Sequence, residues 1–347
     1  MIKSIWTKNL GCFDEKENRL DLAPLTILVG PNNSGKSIML AGFNLLRTTL
    51  MYGTVRWSNE FYNFGDNNSA VHSHVPVSVI ELGATMSSGG QLVKAKTSIQ
   101  GGNYTGASYD PQANASDAIR EWASCWYIRA SRSEVSVQTQ VGQSGAYGPW
   151  GQPLEPSGSN SISFLLERWT DQDPKWPMAQ EWLKKLDPEL AILKSPLKGN
   201  IASLVTTNRF SKVDVNVAYQ GTGVQKALAT MAAVIFSPNG STIIVEEPEV
   251  HLHKDSQEVL ANLFNHAVNT MNKQVIFSTH SWDMLLPYIS DVAKDMRKRG
   301  AGSVAIDPSK FTVQEFTRKE GKISIQEYPL REHGFKDAAG HFGQLLG

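Results

Sequence analysis

Leu25-Thr26-Ile27-Leu28-Val29-Gly30-Pro31-Asn32-Asn33-Ser34-Gly35-Lys36-Ser37 is the stretch from which the rest of the chain is read. Its first five residues are apolar or β-branched without interruption, the pattern of a strand buried on both faces of an α/β sheet. They run into Gly-x4-Gly-Lys-Ser, after which Ile38, Leu40, Ala41, Leu45, Leu46 and Leu50 recur with helical spacing up to Met51. Strand, glycine loop and helix is the order a phosphate-binding loop requires. The residue types fit a triphosphate. Gly30 and Gly35 let backbone N–H groups approach the phosphates closely, Lys36 reaches the β and γ oxygens, and the Ser37 hydroxyl suits magnesium. Pro31, Asn32, Asn33, Ser34 and Ile38 complete the expected nucleotide-binding set, with ATP and Mg2+ as the expected ligands.

Three further motifs follow in order. Thr242-Ile243-Ile244-Val245-Glu246-Glu247 reads as a buried strand that delivers two acids at its C-terminal edge, the end at which α/β sheets bind ligands. There Glu246 suits a magnesium ligand, reached through water, and Glu247 suits a general base for an attacking water. An isolated acid pair is equally the start of a solvated turn, and only the glycine loop upstream favours the catalytic reading. Gln274-Val275-Ile276-Phe277-Ser278-Thr279-His280 is a second strand ending at the same edge, where His280 suits either a γ-phosphate contact or a structural hydrogen bond. Gln220-Gly221-Thr222-Gly223-Val224-Gln225 precedes a helix expected near Gln225 to Phe236, and two glycines at a helix N-terminus expose N–H groups to an anion.

Between these motifs the pattern changes. From about Tyr52 to Phe210 the chain is rich in Gly, Ser, Asn and Gln, and residues 52–210 read as an inserted mixed α/β lobe that splits a core made of residues 1–51 and 211–347. Val75 to Thr85 and Leu92 to Ile99 are expected strands around Ser87-Ser88-Gly89-Gly90, a hairpin signal. Trp126 to Ala130 reads as a strand after a short helix from Asp117. Gln138 to Ser159 reads as a loop, and Ile162 to Trp169 and Met178 to Leu186 as helices. A helix is expected over Lys254 to Asn269, and a closing hairpin joins Phe311 to Phe316 with Lys322 to Tyr328. No heptads persist, so a long coiled-coil arm is not expected.

Composition narrows the setting. The 347 residues carry 33 Lys plus Arg against 33 Asp plus Glu, so no global field draws the chain to DNA or to an anionic membrane, and any DNA contact would be local. Cys12 and Cys125 form neither a disulfide framework nor a CxxC pattern, which fits a reducing cytoplasm. No apolar run approaches the ~18 residues of a spanning helix, and Met1 to Trp6 lacks a signal-peptide core; a soluble, unexported protein is expected.

Read together, the glycine loop, Gly221-Thr222-Gly223-Val224-Gln225, Val245-Glu246-Glu247-Pro248-Glu249-Val250-His251-Leu252-His253 and Ser278-Thr279-His280-Ser281 resemble the heads of ABC-type ATPases. The likeness is to the prokaryotic AAA-like ATPases grouped with the OLD (overcoming lysogenisation defect) family, relatives of the SMC and RecF ATPases. It covers about residues 1 to 50 and 215 to 290, and extends loosely to Trp126 to Arg132. The resemblance implies an ABC-head P-loop fold with a mixed sheet flanked by helices, and two heads that sandwich two ATP molecules. Lys36 and Ser37 would then act in cis, while Gly221, Thr222 and Gly223, with Gln225, cap the γ-phosphate of a second copy, so that hydrolysis requires a dimer or higher oligomer.

The chain also departs from that pattern. Glu246 stands where transporter and repair heads have aspartate, the signature lacks a Leu-Ser opening, and the glutamine that follows the first helix in such heads has no clear counterpart, since Gln91 and Gln100 sit in a divergent stretch. Arg129 and Arg132 fit either phosphate contacts or surface positions. His251 and His253 fit either an HxH metal pair, for which no further ligand is placed, or a loop touching the partner head. The cluster Lys294, Arg297, Lys298 and Arg299 fits a phosphate contact or a solvated helix face. After His280 no carboxylate arrangement of a Toprim nuclease is apparent, so an ATPase without its own nuclease is expected. The functional expectation is an ATP-hydrolysing switch working with a separate nuclease or toxin in prokaryotic anti-phage defence or DNA maintenance. The alternatives are the nucleotide-binding subunit of a membrane transporter and a P-loop kinase.

Overall fold

The fold is seen in a computed structural model that describes residues 1–53, 79–88, 90–101, 103–116, 124–129, 139–140, 175–194, 201–202, 204–288, 310–328 and 340–342. The N-terminal part contributes β1 (Ile2–Lys8), β2 (Asn18–Asp21), β3 (Leu25–Val29) and α1 (Lys36–Tyr52). Next come β4 (Val79–Ser88), β5 (Gln91–Gln100), β6 (Asn103–Asp110), β7 (Cys125–Ile128), β8 (Thr139–Gln140), α2 (Lys175–Leu186), β9 (Leu190–Lys194), β10 (Ile201–Ala202), β11 (Leu204–Asn208) and β12 (Asp214–Asn216). The C-terminal part adds α3 (Thr222–Phe236), β13 (Thr242–Glu246), α4 (Lys254–Thr270), β14 (Gln274–Ser278), β15 (Phe311–Lys319) and β16 (Lys322–Tyr328).

A six-stranded sheet in the order β16-β15-β3-β14-β13-β7 forms the centre, parallel throughout except at the β15–β16 hairpin. Its strands are apolar because both faces are covered, and successive residues serve opposite faces. Leu25, Ile27, Val29, Ile243, Val245, Val275 and Phe277 face a layer containing α2, α3 and α4. Leu28, Ile244 and Ile276 face the other way, onto α1 and a five-stranded antiparallel sheet, β2-β1-β4-β5-β6. Residues 52–210, read from sequence as an inserted lobe, supply β4 to β6 of that second sheet, β7 at the edge of the central sheet, and α2, which packs on α3 and α4.

The expected strands at the glycine loop, before the acid pair and before His280 are present, as are the helices after the loop and over 254–270. The hairpin around Ser87 to Gly90 is present too, with its first strand described from Val79. One helix start is corrected. α3 begins at Thr222 instead of near Gln225, because Gly221 occupies its N-cap, so Thr222 and Gly223 lie in the first turn. Asn18 opens strand β2 beside β1. Strands β6, β8, β9, β10, β11 and β12 were not anticipated, and β8 lies within the stretch Gln138 to Ser159 that was read as a loop. β6 in particular is Asn-Tyr-Thr-Gly-Ala-Ser-Tyr-Asp, whose weak apolar alternation is overridden by pairing with β5. The expected helix at Ile162 to Trp169, Arg132 and the basic cluster at 294–299 lie outside the described residues.

Two buried polar side chains join the layers at the sheet edge remote from the glycine loop. Gln274 Oε1 accepts from the Ile2 N–H at 3.0 Å and from Thr242 Oγ1 at 3.1 Å, while its Nε2 donates to Ile2 O at 2.7 Å and Ala23 O at 3.1 Å. One amide thus ties β14 to β13, to β1 and to the turn before β3. Next to it, buried Lys273 donates to Ser237 O and Oγ, both at 2.9 Å, and to Val234 O, closing the C-terminal end of α3; burial lowers its pKa to about 7. Gln274→Leu keeps the volume but orphans a buried N–H and two carbonyls, so urea denaturation is expected to register a stability loss of ~2–4 kcal/mol.

Candidate functional site

The loop after β3 has the geometry its sequence implies. Gly30 has φ +146°, Asn33 +62° and Gly35 +99°. At Gly30 a side chain is excluded twice over: the backbone angle suits glycine, and a Cβ would lie 2.3 Å from the carbonyl oxygen of Phe316. Gly35 caps α1 with no side chain bonded to the helix end, leaving the first-turn N–H groups directed at the loop's interior. Lys36 folds back into that interior. Its Nζ donates to Gly30 O at 2.6 Å, Pro31 O at 3.0 Å and Ser34 Oγ at 3.4 Å. Burial lowers its pKa to about 8, while Glu247 and Glu249 nearby act against that shift. The lysine is therefore held by its own loop's carbonyls.

Parallel pairing carries the acids to the same edge. Glu246 lies opposite Ser278, so β13 and β14 end together. Glu246 is 5% exposed, and its Oε1 accepts a hydrogen bond from Tyr127 Oη at 2.7 Å. The chain then turns at Glu247, whose φ of +44° is rare for a residue with a side chain. The turn is secured by Glu247 N donating to Ser278 O at 2.9 Å, and by Lys226 of α3, whose Nζ donates to Glu246 O at 2.9 Å and Glu247 O at 2.7 Å. The Glu247 carboxylate points towards His280, with Oε1 and Nε2 3.4 Å apart. The hydrogen bond from His280 outweighs burial and holds the Glu247 carboxyl below its usual range, so it is ionised at neutral pH.

A cleft of about 430 Å³ gathers Cys12, Asn32, Asn33, Ser34, Gly35, Lys36, Ser37, Ile38, Glu247 and His280. Gly30, Pro31 and Glu246 are not in its lining: the carbonyls of Gly30 and Pro31 hold Lys36, and Glu246 is buried against Tyr127. A second cleft of about 310 Å³ is lined by Leu186, Asp187, Gly221, Thr222, Gly223, Val224, His251, Leu252, His253 and Ser256. Among the described residues none lines both. Gly223 has its own steric reason, since a Cβ there would sit 2.3 Å from His251 O. Gln225 lines neither cleft; its Nε2 donates to Ala218 O at 3.0 Å and Gln220 O at 2.9 Å and so shapes the turn before α3.

Four residues of this arrangement were not singled out from sequence: Cys12, Tyr127, Lys226 and Glu249. Lys226 sits one helical turn beyond Thr222, a spacing that could have found it. The other three depend on tertiary contacts. Among the described residues no group of three or more His, Cys, Asp or Glu is placed to hold a metal ion, and none forms around His251 and His253. Gln91 accepts from Asn114 Nδ2 at 2.8 Å on the antiparallel sheet, away from the cleft.

A glycine loop between strand and helix, with paired acids and a histidine on neighbouring parallel strands, defines a P-loop ATPase head. Comparison with known proteins agrees. Residues 103–285, just over half of the chain, match the AAA ATPase domain model, and the chain belongs to that family. It is 22% identical to the OLD nuclease of Thermus scotoductus over 94% of its length, while spanning only 66% of that relative. It is 30% identical to the energy-coupling factor transporter ATP-binding protein EcfA2 of Spiroplasma kunkelii over 115 residues, 32% of this chain and 37% of that one. Among solved structures it resembles an SMC head bound to the C-terminal winged-helix domain of ScpA, with a TM-score of 0.61 at 13% identity over 98% of this chain and 99% of that one. An SMC head with an extended coiled coil bound to the C-terminal domain of ScpA derived from Pyrococcus furiosus gives 0.60 at 11% identity, over 99% and 98% of the two chains. The fold is that of the SMC head.

If Lys36 takes the phosphates, its lowered pKa of about 8 predicts pH-dependent nucleotide binding. A bound triphosphate favours the ammonium, so above pH ~8 binding must take up a proton and ATP affinity is expected to fall by up to about tenfold per pH unit. Calorimetric titration between pH ~7 and ~10 at constant ionic strength checks this. Lys226 titrates in the same range, and Lys36→Arg separates the two: a guanidinium stays charged, so the dependence should flatten if Lys36 carries it.

Proposed function

We propose that this chain is an ATP-hydrolysing switch subunit that closes as a dimer around ATP and controls a separate effector, a nuclease or toxin, in prokaryotic anti-phage defence or DNA maintenance. The observation that carries the reading is the division of the motif residues between two clefts on one molecule. The first has a phosphate loop, an acid and a histidine; the second has the exposed N-terminus of a 15-residue helix, which favours an anion but has no lysine to hold one. Each is half of a site, and two antiparallel copies supply two complete ones.

In the composite site Gly30 to Ile38 wrap the triphosphate and Lys36 leaves its loop carbonyls for the phosphate oxygens. Ser37 and Glu246 would hold Mg2+ through the hard oxygen donors that it takes. The ion's contribution is to neutralise charge on the transferring phosphoryl group. Glu247, ionised and held by the His280 ring, accepts the proton of the attacking water, and His280 orients that pair toward the γ-phosphate. Gly221, Thr222 and Gly223 of the second copy close over the γ-phosphate. ATP then lies within the interface, and its hydrolysis releases the two heads.

A nuclease effector is supported by the similarity to the OLD nuclease, of which the chain spans 66%. Among the described residues no helix is long and apolar enough to cross a membrane, and the balanced charge leaves only a local DNA contact; a cytoplasmic location fits both. The shorter similarity to EcfA2 supports a second reading, the nucleotide-binding subunit of a transporter, which a stable complex with an integral membrane protein would establish.

Turnover is expected to rise more than linearly with protein concentration; a strict monomer with linear turnover would sink the composite site. Lys36→Ala should abolish ATP binding. Glu247→Gln should bind ATP normally, lose turnover by about 10²-fold or more, and elute as an ATP-dependent dimer in size-exclusion chromatography with light scattering. If Glu247→Gln turns over at the wild-type rate, the base is misassigned.

A further inference from the structure

Behind the wall of the first cleft lies a carboxylate that the scheme above does not use. Glu249 is 8% exposed, and burial pushes its pKa up. Its Oε1 accepts two hydrogen bonds, from Thr279 Oγ1 at 2.8 Å and from the backbone N–H of His280 at 2.7 Å. Its Oε2 is buried without a hydrogen-bond partner. A carboxylate is a costly group to bury, and a Leu or Met would fill the same space without that cost. What an apolar side chain cannot supply is an acceptor for His280 N–H. Thr279 is further fixed by its own N–H, which donates to Leu28 O at 3.0 Å, while Ser281 N donates to Thr279 Oγ1 at 2.9 Å. The peptide that carries the His280 ring is thus held by the Glu249 carboxylate, while the ring itself meets Glu247.

Glu249 also lies in the segment that joins the two clefts. Val250 N donates to Glu247 O at 3.2 Å and Leu252 N to Glu249 O at 2.9 Å, so residues 247–252 form two overlapping tight turns. Glu247 at one end lines the first cleft, and His251, Leu252 and His253 at the other line the second, with His251 O pressed against Gly223. A displacement of His280 therefore has a short, stiff route to the wall of the second cleft, through the Glu249 side chain.

We propose that Glu249 is a positioning residue: it holds His280 in register with Glu247 and ties that pair to the loop forming the wall of the second cleft. It is not among the residues that line the first cleft, and its role rests on the reading of that cleft as an ATPase site. The acceptor oxygen is what matters, so Glu249→Gln should preserve the function and Glu249→Ala should lose it.

The test uses the full chain as wild type, Glu249→Gln and Glu249→Ala, with amide hydrogen exchange across residues 276–284, ATP affinity and turnover measured on each. In Glu249→Ala the His280 amide should exchange at least about tenfold faster. Turnover should fall by about 10- to 100-fold while ATP affinity stays within about threefold, the pattern of a lost arrangement at the reacting centre. Glu249→Gln should stay within about threefold of wild type in all three. Unchanged His280 protection in Glu249→Ala overturns the proposal, as does wild-type turnover in that variant once protection is lost. It is equally overturned if both variants lose affinity, turnover and melting temperature together, because that marks a general packing role. A wild-type protein that binds but does not hydrolyse ATP would refute the proposed function instead, and the exchange comparison would still decide whether Glu249 holds His280.

Discussion

The parallel pairing of β3, β14 and β13 is the constraint on which the rest of the molecule depends. With both faces buried, these strands can sit in only one alternation, because a slip of one residue would turn every side chain to the opposite layer. That register ends β3 at Val29, β13 at Glu246 and β14 at Ser278 along one edge. Glu246 is the last residue of its strand, and the glycine loop, Glu247 and Thr279-His280 are the first residues freed from the sheet, all on the same side. Chemistry in this chain is therefore a boundary property of a packed sheet, as in open α/β folds generally.

Around that edge the protein places charge where water is scarce. Lys36, Lys226 and Glu249 are largely buried, and each has its pKa moved toward the neutral form by burial. Their hydrogen bonds nearly all go to backbone: loop carbonyls for Lys36, the Glu246 and Glu247 carbonyls for Lys226, and the His280 amide for Glu249. The charges thus shape the main chain as well as balancing one another. Glu247 is the exception, since the His280 contact favours its ionised form. In a site of low dielectric a triphosphate would find cations already desolvated, and its attraction to them is stronger than in water.

Much of the site was legible in the sequence, for a physical reason. Gly30 and Gly35 are needed by backbone angles, and Lys36 and Ser37 by the ligand, so short-range pattern carries their meaning. The buried strands Thr242 to Val245 and Gln274 to Ser278 announce themselves as unbroken apolar runs, which made Glu246, Glu247 and His280 predictable as a group. Less legible was β6, whose residues have little strand preference of their own, and the start of α3, where Gly221 forms a cap that a GxG pattern alone does not distinguish from a turn. Gln225 was read with the nucleotide set, yet its side chain holds the turn at Ala218 and Gln220.

By itself the sequence determined that a phosphate loop lies between a buried strand and a helix, and that two more strands end in acids and a histidine, because those features rest on periodicity and on residues whose backbone chemistry is local. Only the tertiary structure decided that β14 lies between β3 and β13, that Tyr127 reaches Glu246 across 119 positions of chain, and that Glu249 accepts from the His280 amide. Those facts follow from which strands become neighbours when two faces are buried at once, and no local pattern encodes that choice. It was the same packing that separated the glycine loop and Gly221 to Val224 into two clefts, the division on which the reading of this chain as half of a site rests.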